Sequence, residues 1–321
     1  MRILLLDDSN LPLAAMLSHW HKWLFPLLFL VLPHSAFAGN ATDLPAATYR
    51  TTVSEIRVTF FATDDKNRPV DKIEKDDFAV VDNGMVIRDF RSLMRSDETA
   101  LDVVALVDAS ESVAPRFQAT VNDVLQLVSQ KQSAPDHAIS VMSFSGLQAT
   151  LLCSDNCRST GSGQRLLAAK AEGATPLFDA LAYSADFVAQ RRAPGVRPVL
   201  ILLSDGDDTI SKISSRDAVE AVIASGANVY AIDSNRSGSA SHSSMGLQRI
   251  AEATGGRYFP AEAHPAEVLR SAQEDLHASY IVTYQLPSHT AGFHSLRILP
   301  KHNLNLQFHC RSGYYYETKN P

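Results

Sequence analysis

The sequence predicts an α/β protein: a doubly wound, Rossmann-like sheet, with a small β unit built from the segments on either side of it. Three observations carry this. Val103-Val104-Ala105-Leu106-Val107 and Val199-Leu200-Ile201-Leu202-Leu203 are continuous apolar runs, and each leads into an acid, Asp108 and Asp205. Such runs mark strands buried on both faces, as in a parallel sheet covered by helices. Helical and strand patterns then alternate over roughly 180 residues, the signature of a doubly wound sheet. Before and after that stretch the period falls to two, as in Ile56, Val58, Phe60 and again in Tyr280 to Tyr284, which is the spacing of half-buried strands.

The N-terminus precedes any fold. Leu24 to Leu32 read LFPLLFLVL, with His19, His21 and Lys22 upstream and Ser35-Ala36-Phe37-Ala38 downstream. A weakly basic start, a short apolar run and a small-x-small ending describe a secretory signal peptide over residues 1–38, cleaved after Ala38. The competing reading is an uncleaved anchor, against which stand Pro26 and a run too short to span a bilayer. The first fifteen residues, MRILLLDDSNLPLAA, resemble the first strand and acidic pair (Asp7, Asp8) of a response-regulator receiver, but nothing after them continues that fold. Met16 opens a signal peptide of ordinary length and is the expected start. The mature chain is expected to be exported, periplasmic or secreted, with no membrane span after cleavage.

Residues 39–98 read as a linker followed by an N-terminal β module. Phe78-Ala79-Val80-Val81 and Met85 to Phe90 flank Asp82-Asn83-Gly84, and Asn-Gly between apolar runs is a strong hairpin signal. Residues 99–279 form the α/β domain. After its first buried strand, Phe117, Val121, Val124, Leu125 and Val128 fall at helical spacing. Ile139 to Phe144 is a strand, and a polar loop from Ser154 to Gly163 precedes a helix. A further helix runs from Pro176 to about Arg192, with Pro tolerated in a first turn. Past Val199–Leu203, Ser214 caps a helix ending near Ser225, and Val229 to Ile232 is a strand. A Ser/Gly-rich loop, 234–244, carries an exposed His242. Helices near Met245–Thr254 and Pro265–Ser279 enclose a short strand at Arg257-Tyr258-Phe259. Residues 280–321 return to β and are too few to fold alone, so they are expected to pair with the N-terminal module.

Composition removes several functions. The 321 residues are 45% apolar and 20% charged, with 29 Lys+Arg against 35 Asp+Glu, a net charge of −6. That balance buries a core and lacks the basic runs of a nucleic-acid binder. Three cysteines are too few for a disulfide-built fold. In an oxidising compartment Cys153 and Cys157, in CSDNC, either close a small loop or remain two surface thiols. Cys310 is expected to pack as a small apolar residue. The sequence has no G-x-x-x-x-G-K-S/T phosphate loop, no G-x-S-x-G elbow and no H-x-x-x-H pair on a helix.

The chemistry lies at strand ends, where open α/β sheets bind ligands. Asp108-Ala109-Ser110-Glu111-Ser112 follows the first buried strand, Gly173-Ala174-Thr175-Pro176-Leu177 precedes a helix, and Ser204-Asp205-Gly206-Asp207-Asp208 follows the second. Hard cations take six oxygen ligands and keep several waters. The bland alternative makes Asp108 and Asp205 turn residues or helix N-caps and Thr175 the cap of its helix. Asp207 and Asp208 read as solvated loop acids, and Thr209 and Ser211 as caps of the next turn. Asp108 is expected at the surface.

Taken together, these segments resemble the metal-ion-dependent adhesion site of von Willebrand factor type A domains over about residues 99–278. The flanks, with Tyr280…Tyr284, His294 and Arg311-x-Gly313-Tyr314, resemble bacterial proteins related to that family, best known from Acidobacteria. The resemblance implies that Ser110, Ser112 and Thr175 ligate Mg²⁺ (or Mn²⁺ or Ca²⁺) through hydroxyls, with Asp108 and Asp205 acting directly or through water. It implies a protein partner that supplies a carboxylate to the ion. Many members have Gly where this chain has Glu111, which bears on ligand affinity. The implied function is a binding module for adhesion or assembly and not an enzyme. The alternatives are a metal-stabilised structural protein of the envelope and, further off, a Mg²⁺-dependent hydrolase.

Overall fold

The computed structural model describes residues 55–129, 138–154, 157, 160–235 and 242–317. The signal-peptide and start-site expectations fall outside them. The strands are β1 (Glu55–Thr63), β2 (Phe78–Asp82), β3 (Met85–Ile87), β4 (Ser92–Arg95) and β5 (Ala100–Asp108), then β6 (Ala138–Ser145), β7 (Gln148–Cys153), β8 (Val196–Ser204), β9 (Asn228–Asp233) and β10 (Tyr258–Phe259). After these come β11 (Tyr280–Gln285), β12 (Gly292–Pro300), β13 (Gln307–Cys310) and β14 (Gly313–Tyr316). The helices are α1 (Ala114–Ser129), α2 (Thr160–Ala168), α3 (Leu177–Gln190), α4 (Ser215–Ser225), α5 (His242–Ala253) and α6 (Pro265–His277).

The central sheet has the order β10-β9-β8-β5-β6-β7. All its pairings are parallel except β6 with β7. Every residue of β5 is buried, because successive side chains serve opposite faces. Leu101, Val103, Ala105 and Val107 join Phe117, Val121 and Val124 of α1 and Val268 and Leu269 of α6. Val104 and Leu106 join Leu177 and Leu181 of α3, Val222 of α4 and Leu247 of α5. Truncating one such side chain, Leu202→Ala for example, costs about 2–5 kcal/mol through lost transfer energy and a residual cavity.

The flanking segments form two four-stranded sheets, β13-β1-β11-β4 and β14-β12-β2-β3. Strands from before and after the α/β domain alternate in the first sheet, and in the second two later strands lie beside two earlier ones, joined through β12 and β2. β1 pairs antiparallel with β11 and β13, placing Phe60 opposite Tyr280 and Cys310. β2 pairs with β12. One apolar cluster spans the two sheets through Val58, Phe60, Phe78, Val80, Val282, Leu296 and Ile298. The Asn83-Gly84 hairpin forms as expected, with φ of 48° and 82°, and Asp82 opposite Met85. Only Gly and Asn adopt such values cheaply.

Several local expectations are corrected. β4 and β7 lie where no strand was expected. Pro176 precedes α3 instead of opening it. His242 is exposed but is the first residue of α5, not a loop residue. Of the two alternatives for Cys153 and Cys157 the closed loop holds, as a disulfide with Cα atoms 5.3 Å apart, and Cys310 is a free, half-buried thiol that burial pushes up to about 12.

Candidate metal centre

The three motif segments meet at the carboxyl end of the central sheet. β5 ends on Asp108, which is 2% exposed, so the expectation of a surface position is wrong. The ends of both neighbouring strands hold this segment. Ala109 N–H donates to the Phe144 carbonyl at the end of β6. Ser204, the last residue of β8, donates its hydroxyl to Asp108 Oδ2 at 2.6 Å. Asp108 Oδ1 accepts the Ser110 N–H at 2.9 Å.

The chain then turns through Glu111–Val113 into α1. Ser110 and Ser112 stand with their hydroxyl oxygens 3.0 Å apart, the first buried and the second exposed. The Thr175 segment is tied to them through backbone: Glu111 N–H donates to the Gly173 carbonyl at 3.0 Å and Glu172 N–H to the Ala109 carbonyl at 2.9 Å. Thr175, 2% exposed, is in turn tied to the β8–α4 loop. Its N–H donates to Thr209 Oγ1 at 2.8 Å, and Thr209 N–H donates to its carbonyl at 2.9 Å.

Asp205 is 6% exposed. Its Oδ1 accepts the Asp207 N–H at 3.1 Å, and its carbonyl accepts from Asn235 Nδ2 at 2.9 Å. Asp108 and Asp205 thus each close a turn onto the residue two further on, as the bland alternative held. The capping part of that alternative fails. The residue before α3 is Pro176, with no side-chain cap, so Thr175 does not cap its helix. Thr209 and Ser211 do not cap the next turn either. Thr209 holds Thr175, and Ser211 Oγ accepts the N–H groups of Phe178 and Asp179 at the start of α3, with Asp208 accepting the Ser211 hydroxyl proton.

Electrostatics follow from this burial. The Asp108 carboxyl is pushed up to about 6, chiefly by desolvation. The hydrogen bonds from Ser110 and Ser204 oppose the shift, and the nearby charge of Asp205 adds to it. Two carboxylates sharing a desolvated place call for a positive counter-charge. Among the described residues no three His, Cys, Asp or Glu side chains gather as a metal cluster. A site here therefore rests on two carboxylates and three hydroxyls, a donor set suited to a hard cation. Asp108 already spends a lone pair of each oxygen on Ser110 and Ser204, which leaves it best placed to act through water.

Residues 102–274, more than half of the chain, match the von Willebrand factor type A domain family. The chain belongs to that family. Solved structures similar to it include proximal thread matrix protein 1 from the mussel byssus, at 17% identity over 56% of this chain and 49% of that one, with a TM-score of 0.44. Another is BatB from Bacteroides thetaiotaomicron, at 15% identity over 54% and 96%, TM-score 0.40. A third is an aerotolerance-related membrane protein from Bacteroides fragilis, at 16% identity over 54% and 98%, TM-score 0.41. The match spans about half the length of the mussel protein, one structure of which is described with zinc in its adhesion-site motif. No curated protein matches. All five expected positions lie within the matched residues. The support around them was not foreseen from the sequence: Ser204, signalled only by its place before Asp205, holds Asp108, and Thr209, read as a turn cap, holds Thr175.

Proposed function

We propose that this A domain is an exported binding module that grips a protein partner through a divalent cation. Ser110, Ser112 and Thr175 would hold the ion through hydroxyl oxygens, with Asp108 and Asp205 behind them. The bound ion would supply a fixed positive charge and an open coordination position, which the partner fills with a carboxylate. The observation that carries this reading is convergence. Three separated segments that carry oxygen side chains are held beside one another by the hydrogen bonds around Asp108, Gly173 and Thr175. Mg²⁺ or Mn²⁺ suits neutral hydroxyls together with water, and such sites leave positive charge for an incoming anion.

The surroundings agree with protein capture. Leu147 is 73% exposed on the β6–β7 turn, whose Gly146 N–H donates to the Ala174 carbonyl beside Thr175. Ile210 and Met245 are also exposed, one next to Thr209 and the other two residues from Ser243, whose hydroxyl bonds Asp207. Exposed apolar side chains around a polar centre mark interaction surfaces. Calorimetry with Mg²⁺ and Mn²⁺, before and after EDTA, tests the site. Absence of cation binding at millimolar concentration would sink the proposal. Capture of envelope proteins with and without EDTA tests the partner half. Cation-raised melting with no EDTA-sensitive capture would favour a purely structural ion.

A further inference from the structure

A second polar site lies at the other end of the central sheet. There the amino ends of β8 and β9 meet β1 and β13 of the β unit, and they enclose a cleft of about 390 Å³. This is within the range of small-ligand sites. Four arginines line it, Arg57, Arg192, Arg197 and Arg311, against two acids, Asp97 and Glu98.

The charges do not cancel. Arg197 and Glu98 neutralise each other, with the guanidinium 2.6 Å from the carboxylate, and Arg197 also donates to Ser279 Oγ. Arg57, Arg192 and Arg311 make no ion pair among the described residues. Only the exposed Asp97 remains to oppose three cations.

Two of these guanidinium groups are held in place. Arg311 Nη2 donates to the Arg57 carbonyl at 3.4 Å, and the Arg311 backbone bridges to Thr254. Arg192 lies against the backbone of Gly226, where an added Cβ would stand 2.6 Å from Nη2. Burial lowers the Arg311 guanidinium from its ordinary value, and the charge of Arg192 adds to that, so the two cations sense each other. The cost of burial falls on the half-buried Arg311 guanidinium, and an anion reached also by the exposed Arg57 and Arg192 would offset it.

We propose that this cleft is an oxyanion site, in which Arg57, Arg192 and Arg311 hold the phosphate or carboxylate group of a small molecule. The guanidinium fork matches both groups by paired hydrogen bonds. A bound anion would tie the β unit to the α3–β8 connection and so stabilise their junction, independently of the cation at the far end of the sheet.

The test is a titration with inorganic phosphate and with succinate, in EDTA so that no metal-bound anion contributes, and at constant ionic strength. Saturable binding with raised melting is expected, following the linkage of ligand to stability. Stronger binding of phosphate assigns phosphate-bearing ligands, and stronger binding of succinate assigns dicarboxylates. Arg57→Gln with Arg192→Gln, both at exposed positions, should weaken binding by about tenfold or more. Asp97→Asn should tighten it. Absence of saturable binding at millimolar concentration overturns the proposal, as does binding that the double substitution leaves unchanged.

Discussion

Asp108 shows how much one residue's surroundings alter its expected behaviour. A carboxylate at an exposed strand end could be deleted at no cost to the fold. In the structure Asp108 is buried and is the acceptor for Ser204 and Ser110. Asp108→Ala would strand the Ser204 hydroxyl, at about 1–3 kcal/mol for an unsatisfied buried group. Asp108→Asn keeps the shape and one acceptor oxygen while removing the charge. It should therefore abolish Mg²⁺ binding by calorimetry with a melting change smaller than that of the alanine variant. Parent-like binding in the asparagine variant counts against the site. Thr175 permits a cleaner separation, because its side chain caps no helix. Thr175→Val keeps its volume and its backbone bonds to Thr209 but removes the ligand oxygen. Melting should shift by less than about 0.5 kcal/mol, below the cost of losing a cap, while EDTA-sensitive capture falls. Lowered melting with capture intact would instead make the hydroxyl structural.

At the scale of elements, the parts readable in advance are those whose signal is local. β5 and β8 were legible because burial on both faces writes an unbroken apolar run. The β2–β3 turn was legible because Asn83-Gly84 supplies the left-handed backbone the hairpin needs. The fold class followed from the same kind of signal. β7 was not legible: it is an edge strand whose buried and exposed positions hardly contrast. β4 has four residues, too few for a period. Nor does alternation name a strand's partner, so the division of the β unit into two sheets was out of reach. The arginine cleft was hidden because its residues come from distant parts of the chain. Pairing also creates a titration no local sequence signals. On β13, His309 stacks on Phe61 of β1 at 4.6 Å and bonds Thr63 Oγ1 at 3.0 Å. Burial, with the Arg257 charge adding to it, lowers its imidazole from 6.5 to about 4. The unfolded chain therefore takes up a proton near pH 6.5 that the folded state refuses until about pH 4. This contribution is full above the unfolded value and is lost as pH falls between the two, reaching up to about 3 kcal/mol. Urea unfolding of His309→Gln should show a shallower acid loss than the parent between neutral pH and about pH 4.5. Parallel losses would remove His309 from the account.

Over the whole molecule, the chain leaves the β unit, builds the A domain and returns to complete what it left. Among the described strands β1 pairs with β11 and β13, and β2 pairs with β12 as well as with the short β3. The later strands also satisfy the earlier ones chemically. Tyr284 and Tyr314 both donate to the fully buried Asp82 on β2, at 2.7 and 2.8 Å, and Tyr280 donates to the Asp71 carbonyl. We propose on this basis that residues 280–321 and the N-terminal module fold as one unit. Removing residues 280–321 would strip both partners from β1, uncover Val58, Phe60, Phe78 and Val80, and leave the Asp82 carboxylate without its two hydroxyl donors. Four such side chains at about 1.5–3 kcal/mol each exceed what two short strands and a hairpin can recover, and open strand edges then pair with other chains. A protein ending at Ser279 should aggregate, or show by limited proteolysis an unfolded segment before residue 99. Its A domain, whose two apolar layers involve none of the deleted strands, should keep its helical signal and its cation binding. A truncated protein that stays monomeric, resists protease throughout and melts like the parent would refute the shared unit. Loss of cation binding together with the β unit would instead mean that the A domain depends on its flanks to hold the metal loops in place.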